Sequence, residues 1–217
     1  MTVNDMAGKE LQPFTPDLAV LGKALEKNRY AVQIFETKEA ARDYLVSSMH
    51  GLTIGFGDSA TLDEMELEKY LSAENIVFNP KNGADNDDFL RIATQCLTTE
   101  IFLSSVNGIT QDGVIVNLDG TGNRVAGSLF GHQKVYYVIG RNKIAPDLEQ
   151  AVWRVRNIAA PKNAFRLRQK TPCAMRGGDK CYNCASPERI CNALLIQLKA
   201  MNDIETEVVL IDEDLGF

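Results

Sequence analysis

Short apolar runs alternate with amphipathic stretches along most of this chain, and that alternation limits the fold more than any other feature. Runs at Tyr30–Phe35, Leu52–Ile54, Asn75–Phe78, Glu100–Ser104, Val114–Val116, Lys134–Ile139 and Val208–Ile211 read as strands. The stretches between them carry apolar residues at helical spacing. A first helix opens at Thr15-Pro16-Asp17, with Thr15 as cap, Pro16 at the first helical position, and Leu18, Leu21 and Leu25 on one face. Further helices are predicted from Thr37 to about Ser48, over Asp87–Leu97, near Asn123–Leu129, and from Pro146 to roughly Ile158. Another runs to Leu71 from the glycines at Gly55 and Gly57, or from slightly later, where Thr61 and Glu64 have capping-box spacing. Strands separated by helices imply βαβ units. The expected fold is therefore α/β, a three-layer α/β/α domain with a mainly parallel sheet covered on both faces.

Composition sets the remaining bounds. The 217 residues suit one domain, and 45% apolar with 24% charged residues excludes a disordered or collagen-like chain. A net charge of −6 argues against a nucleic-acid partner, which would require a basic face. No apolar run approaches the ~20 residues of a membrane span. Met1–Gln12 lacks the apolar core of a secretory leader, so a cytoplasmic location is expected. Two histidines are too few for a His-rich metal centre. His132, beside Lys134, reads as a turn or surface histidine with a catalytic role as the alternative, and His50 carries no functional reading.

Four of the five cysteines, Cys173, Cys181, Cys184 and Cys191, crowd into one segment in the pattern C-x7-C-x2-C-x6-C. The segment from about 161 to 192 breaks the βα rhythm, and from Pro161 to Arg189 seven bases face two acids. The Cys181-x-x-Cys184 pair places two sulfurs on one turn, and the flanking cysteines can complete four-fold sulfur ligation. Four thiolates on a zinc ion or an iron–sulfur cluster leave a negative centre that the local bases would offset. Only one knuckle is present where a zinc ribbon has two, so an iron–sulfur cluster is the expected cofactor and zinc the alternative. Four unligated thiols remain the competing reading. Cys96 stands apart on a helical pattern and, with Met65 and Trp153, reads as a core or half-core position.

Two glycine-rich loops follow strands. In the first, Gly55, Gly57, Ser59 and Thr61 surround Asp58, and freed backbone N–H groups there suit a phosphate or carboxylate; a plain βα turn is the competing reading. The loop has neither the Gly-Lys-Ser/Thr of a P-loop nor a dinucleotide fingerprint. In the second, Asp119-Gly120-Thr121-Gly122-Asn123-Arg124, Asp119 is a candidate acid or base, and Asn123 with Arg124 could hold an anion; a capped helix with a solvated arginine is the alternative. Ligands of open α/β sheets settle at strand ends, so both loops are expected to line one crevice. The stretch from Ser104 through Asn107 to Asp112, a loop or tight hairpin, would supply its remaining polar wall.

Taken together, Gly55-Phe56-Gly57-Asp58-Ser59-Ala60-Thr61, Ser104-Ser105-Val106-Asn107-Gly108-Ile109-Thr110, Asn117-Leu118-Asp119-Gly120-Thr121-Gly122-Asn123-Arg124, Val138-Ile139-Gly140-Arg141-Asn142-Lys143 and Cys181-x-x-Cys184-x-Ser186-Pro187-x-Arg189-Ile190-Cys191-Asn192 resemble the lactate-utilisation (LUD) domain family. The resemblance runs from about Thr15 to the end of the sequence. It implies a fold similar to ribose-5-phosphate isomerase and CoA transferases, whose strand-end loops bind anions. It further implies a role in lactate or related organic-acid redox metabolism beside iron–sulfur or oxidoreductase partner subunits, with self-association open. No acid–base pair of the isomerase type aligns. On this reading Asp58 and Asp119 orient groups or exchange protons, while Gly55, Gly57, Ser59, Thr61, Asn107, Gly120, Gly122, Asn123 and Arg124 bind the metabolite. A non-catalytic assembly subunit with structural zinc is the alternative, as is an isomerase- or transferase-like enzyme acting on phosphorylated or CoA-linked small molecules.

Overall fold

In a computed structural model that describes residues 13–217, a six-stranded sheet forms the centre of the chain. Its strands are β1 (Ala31–Phe35), β2 (Thr53–Phe56), β3 (Ile76–Phe78), β4 (Ile101–Ser104), β7 (Lys134–Gly140) and β10 (Glu205–Ile211). They lie in the order β1-β10-β7-β4-β2-β3, and every neighbouring pair is parallel. Parallel pairing requires crossovers, and α1 (Leu18–Lys27), α2 (Lys38–Ser47), α3 (Ala60–Glu64), α4 (Leu67–Leu71) and α5 (Asn86–Cys96) supply most of them. The expected α/β/α layering is present.

Alternation along β7 shows why both faces are covered. Tyr136 and Val138 join Leu45, Leu62 and Leu67 in one core, while Val135, Tyr137 and Ile139 join Leu21, Leu25 and Cys96 in the other. Met65 and Cys96 are buried as anticipated, and Trp153 is half-buried.

A second sheet, absent from the sequence reading, packs on the latter face. It comprises β5 (Gly108–Thr110), β6 (Ile115–Asp119), β8 (Ile144–Ala145) and β9 (Ala193–Gln197), in the order β8-β5-β6-β9. Of the two forms expected for that stretch, loop or tight hairpin, β5 and β6 make a hairpin, and β9 pairs antiparallel with β6. Ile109 and Ile115 face the central sheet, while Val116 and Ala145 face α7 (Leu148–Arg154). One buried polar pin joins the two sheets: the Tyr137 hydroxyl on β7 donates to Gln197 Oε1 on β9 at 2.9 Å.

Local chemistry corrects several element ends. Asp17, not Thr15, caps α1, because its carboxylate accepts the Val20 N–H at 2.9 Å and Pro16 falls before the helix. Thr37 caps α2 as read. The helix expected up to Leu71 is two short ones, capped first by Ser59 and interrupted at Glu66, whose φ of 52° is left-handed. α7 is capped by Asp147 and does not stop at Ile158: it widens into a π-helical turn at Val155–Ala159 and continues as α8 (Ala160–Arg166). Pro161 follows directly on the wide turn as the second residue of α8. α6 (Asn123–Leu129) lies where expected. From Leu167 to Asn192 the backbone is irregular apart from a 3₁₀ turn at Ala174–Arg176.

The leader expectation for Met1–Gln12 lies outside the described residues, and among those described no helix is long and apolar enough to cross a membrane. Tyr137→Phe removes the inter-sheet pin and leaves buried Gln197 without that donor. It is expected to lower stability by about 1–3 kcal/mol, read as a shift in the urea midpoint at unchanged slope.

Candidate functional site

The carboxyl ends of β2, β4 and β7 carry Gly57–Thr61, Ser105–Asn107 and Arg141–Lys143 to one end of the central sheet. There they meet Arg124 from the first turn of α6. Asp58, Ser59, Ser105, Asn107, Arg124 and Lys143 line one cavity, with Ala159, Asn163 and Phe217 closing it. A wider adjoining cleft runs from Gly57 and Asp58 past Asp119, Gly120, Asn123 and Arg124 to Ile190. The two loops thus share a crevice.

Arg124 is held by the backbone of the other loop. Its Nε donates to the Gly57 carbonyl at 3.0 Å and an Nη to that of Asp58 at 2.5 Å, while the other Nη reaches Asn107 Oδ1 at 3.4 Å. It is therefore an ordered cation. Asp58 has a left-handed φ of 49°, and its carboxylate pairs with Lys81 at 3.2 Å and Arg166 at 3.6 Å. Burial alone would raise its pKa, but Lys81, Arg124 and Arg166 outweigh it and hold the carboxyl below its usual range. Asp58 is a fixed anion rather than a ready proton donor.

Several other candidate residues have structural work. Asp119 is nearly buried, and its Oδ2 accepts the Val125 N–H at 3.1 Å, so it caps α6 where Gly122, at the N-cap with φ 93°, has no side chain to do so. Asn107 clamps the hairpin: its N–H donates to Asn117 Oδ1 at 3.0 Å, and its own Oδ1 accepts the Leu118 N–H at 2.8 Å. Ser59 caps α3. A Cβ at Gly55 would meet the Cys96 carbonyl at 2.7 Å, so that position is set by packing under α5. Thr61 is fully buried and faces inward.

What Thr61 faces is the residue the sequence reading left without a role. Lys143 is 3% exposed, and its Nζ donates to Thr61 Oγ1 at 2.6 Å and Ser105 Oγ at 2.8 Å. Burial, then the nearby Arg154 and Arg124, hold its pKa well below the ordinary lysine value. Arg154 is also buried, donating to the Asn142 and Asn107 carbonyls. Lys143 ends the Gly140-Arg141-Asn142-Lys143 stretch after β7, so its strand-end position was available as a signal.

The four clustered cysteines line a second cavity, with Arg156, Ala160, Pro161, Arg189 and Ile190. All four are free thiols, half-buried. Among the described residues, no three His, Cys, Asp or Glu side chains are gathered to hold a single metal ion. Arg189 donates to the Cys184 and Cys191 carbonyls at 2.9 and 2.7 Å. The π-helical turn supplies Asn157, which accepts the Cys181 N–H at 3.3 Å, and Arg156, which lies 4.0 Å from Cys181 Sγ. Burial pushes the Cys191 thiol up despite Arg189 beside it. The segment also touches the crevice. Asn192 donates from its backbone to the Asp119 carbonyl at 2.9 Å and from its side chain to that of Gly120 at 3.1 Å. A Cβ at Gly120 would lie 2.8 Å from Ile190 Cα, so only glycine permits this approach.

His132 and Lys134 lie at the opposite end of the sheet, before and at the start of β7. His132 is not a surface histidine: it is 4% exposed, stacks on Phe102 with ring centroids 5.1 Å apart, and bonds the Thr99 carbonyl through Nδ1 at 2.7 Å. Lys134 pairs with Glu205 and Glu207 at 2.5 and 2.8 Å. Burial lowers the His132 pKa below its ordinary 6.5, so the unfolded chain takes up the proton first as pH falls. Stability is expected to be intact above about pH 6.5 and to decline below it. In His132→Gln that decline is expected to be shallower, measured by urea unfolding across the range.

The comparisons with known proteins follow the same outline. A family model described as the LUD domain matches residues 18–211. No curated protein matches the sequence. Among solved structures, the chain is similar to a DUF162 family protein from Deinococcus radiodurans, a crystal structure at 1.70 Å resolution. The TM-score is 0.50 at 10% identity, over 97% of this chain and 99% of that one, a likeness of fold alone. With a match spanning both glycine loops and the cysteine segment, the chain belongs to the LUD domain family.

Proposed function

We propose that this LUD-domain protein serves lactate or related organic-acid redox metabolism, binding a small anionic metabolite in the strand-end crevice and an iron–sulfur cluster on Cys173, Cys181, Cys184 and Cys191. The observation that carries the first part is the charge balance of the crevice. Arg124 lines it with the Arg154 guanidinium behind and the buried Lys143 amine at the floor, while Asp58, the acidic side chain among the lining residues, is already paired with Lys81 and Arg166. A carboxylate or phosphate supplies the missing negative charge. Arg124 receives it, since backbone carbonyls fix the guanidinium in advance and ordering it costs little on binding. Asp58 holds Lys81 and Arg166 by ion pairs. Lys143, Ser105 and Thr61 form a chain of donors at the floor.

The donor set supports the cluster reading: four thiols line one common space, and thiolate is the ligand such clusters take. Arg156 and Arg189 offset the charge of four thiolates. A bound cluster would supply one-electron transfer. Partner subunits of the oxidoreductase type, a cytoplasmic location and self-association belong to the same proposal. A second reading, favoured by the Asn192 bonds to the Asp119 and Gly120 carbonyls, makes the segment a zinc-bound clip that braces the crevice loop of an assembly subunit.

Metal and acid-labile sulfide analysis of anaerobically purified protein, with an absorption spectrum, separates the two. Iron with sulfide and a band that bleaches on reduction is the expected result, lost in Cys184→Ser. Zinc without sulfide favours the clip, and four titratable thiols with neither metal overturn both. In the crevice, Arg124→Ala is expected to weaken binding of lactate or pyruvate about 10- to 100-fold by calorimetry, the range for losing charge-assisted hydrogen bonds. Unchanged affinity removes Arg124 from the site.

A further inference from the structure

Resting on that reading of the crevice, we propose that Lys143 is its reacting group: a buried amine that forms an imine with a carbonyl carbon adjacent, or nearly so, to the anion that Arg124 holds. Three features of the geometry lead there. Lys143 Nζ is deep in the fold yet lines the same cavity as Arg124, so a short ligand anchored at the guanidinium extends toward it. Both of its hydrogen-bond partners, Thr61 Oγ1 and Ser105 Oγ, are neutral hydroxyls. Its charged neighbours are the guanidiniums of Arg154 and Arg124, with Glu64 a weaker opposing influence. A buried lysine beside other cations is the setting in which an amine stays unprotonated and nucleophilic. A lysine kept only for charge would be paired with an acid.

The step balances without an outside oxidant. The Nζ lone pair attacks the carbonyl carbon, giving a carbinolamine. The former carbonyl oxygen then leaves as water with the two hydrogens that the nitrogen loses, and a C=N bond remains. Ser105 Oγ, 2.8 Å from Nζ, is placed to pass a proton from nitrogen to the departing oxygen, and Thr61 Oγ1, at 2.6 Å, holds the amine in place. The ligand class is a small aldehyde or ketone carrying a carboxylate or a phosphate.

Borohydride trapping tests this on the full chain. The protein is incubated separately with pyruvate and with glyceraldehyde 3-phosphate, reduced, and mapped by peptide mass spectrometry. A stable secondary amine on Lys143 from either compound is the expected result, and which compound gives it tells a carboxylate-bearing from a phosphate-bearing ligand. Comparable labelling of exposed lysines such as Lys23 and Lys27 overturns the assignment. Because Lys143→Met removes a buried group and can unfold the chain, Arg124→Gln is the second variant. It keeps the amine and should slow labelling at least about tenfold at low ligand, as loss of a charge-assisted contact requires. Labelling as fast as in the parent overturns the anion-directed step. Lactate binding by calorimetry without any adduct overturns the imine and leaves the crevice reading standing; no binding and no adduct overturn both. A lysine serving only to tie Thr61 to Ser105 gives no adduct.

Discussion

All six strands of the central sheet run the same way, and the candidate site depends on that constraint. Parallel pairing places every strand's carboxyl end on one side of the molecule, so three separate turns, after β2, β4 and β7, open into the same space. Burial of both sheet faces makes the arrangement rigid: Leu103, Val138 and Val209 are inaccessible to solvent, and so are Tyr137 and Leu210 on the other face. Residues as distant in sequence as Thr61, Ser105 and Lys143 can therefore meet within hydrogen-bond distance without any one loop being long. The scaffold bears the entropic cost of bringing them together.

The small second sheet has a different role. It carries β6, whose end turns through Gly120 and Gly122 into α6 and so delivers Arg124, and it carries β9, which returns the chain from the cysteine segment. Asp119 and Asn192 lie across from each other at that edge. The glycine crevice and the cysteine cavity are thereby neighbours, with Ile190 lining both the cysteine cavity and the wider cleft.

Much of the fold was legible because its strands obey simple patterns. Runs such as Val135–Ile139 are apolar throughout, as strands covered on both faces must be, and Thr37 is a cap whose chemistry is local. β8 and β9 escaped notice for the opposite reason: β8 is two residues long, and β9 is only partly buried, so neither bears a clear period. The crevice was legible to the extent that glycines and polar residues end strands. Arg124, Asp58 and Asn107 were found that way. The roles were harder to read, since the work of Asp119 and Ser59 as caps and of Asn107 as a hairpin clamp depends on partners that only folding supplies. Lys143 was missed because a lysine after a strand looks like any solvated base until Thr61, Ser105 and Arg154 close around it. His132 was misjudged likewise, since nothing near it in sequence announces the Phe102 ring.

The π-helical turn at Val155–Ala159 joins these pieces more tightly than proximity does. Arg154 and Arg156, two residues apart, point to nearly opposite sides of the helix axis, yet both are buried, with Asn157 buried beside them. Arg154 serves the floor of the crevice and Arg156 the cysteines, from one continuous rod of backbone. Ala159 and Asn163 wall the crevice while Asn157 holds the Cys181 N–H, so the winding of this one helix sets the shape of two cavities that the sequence keeps apart.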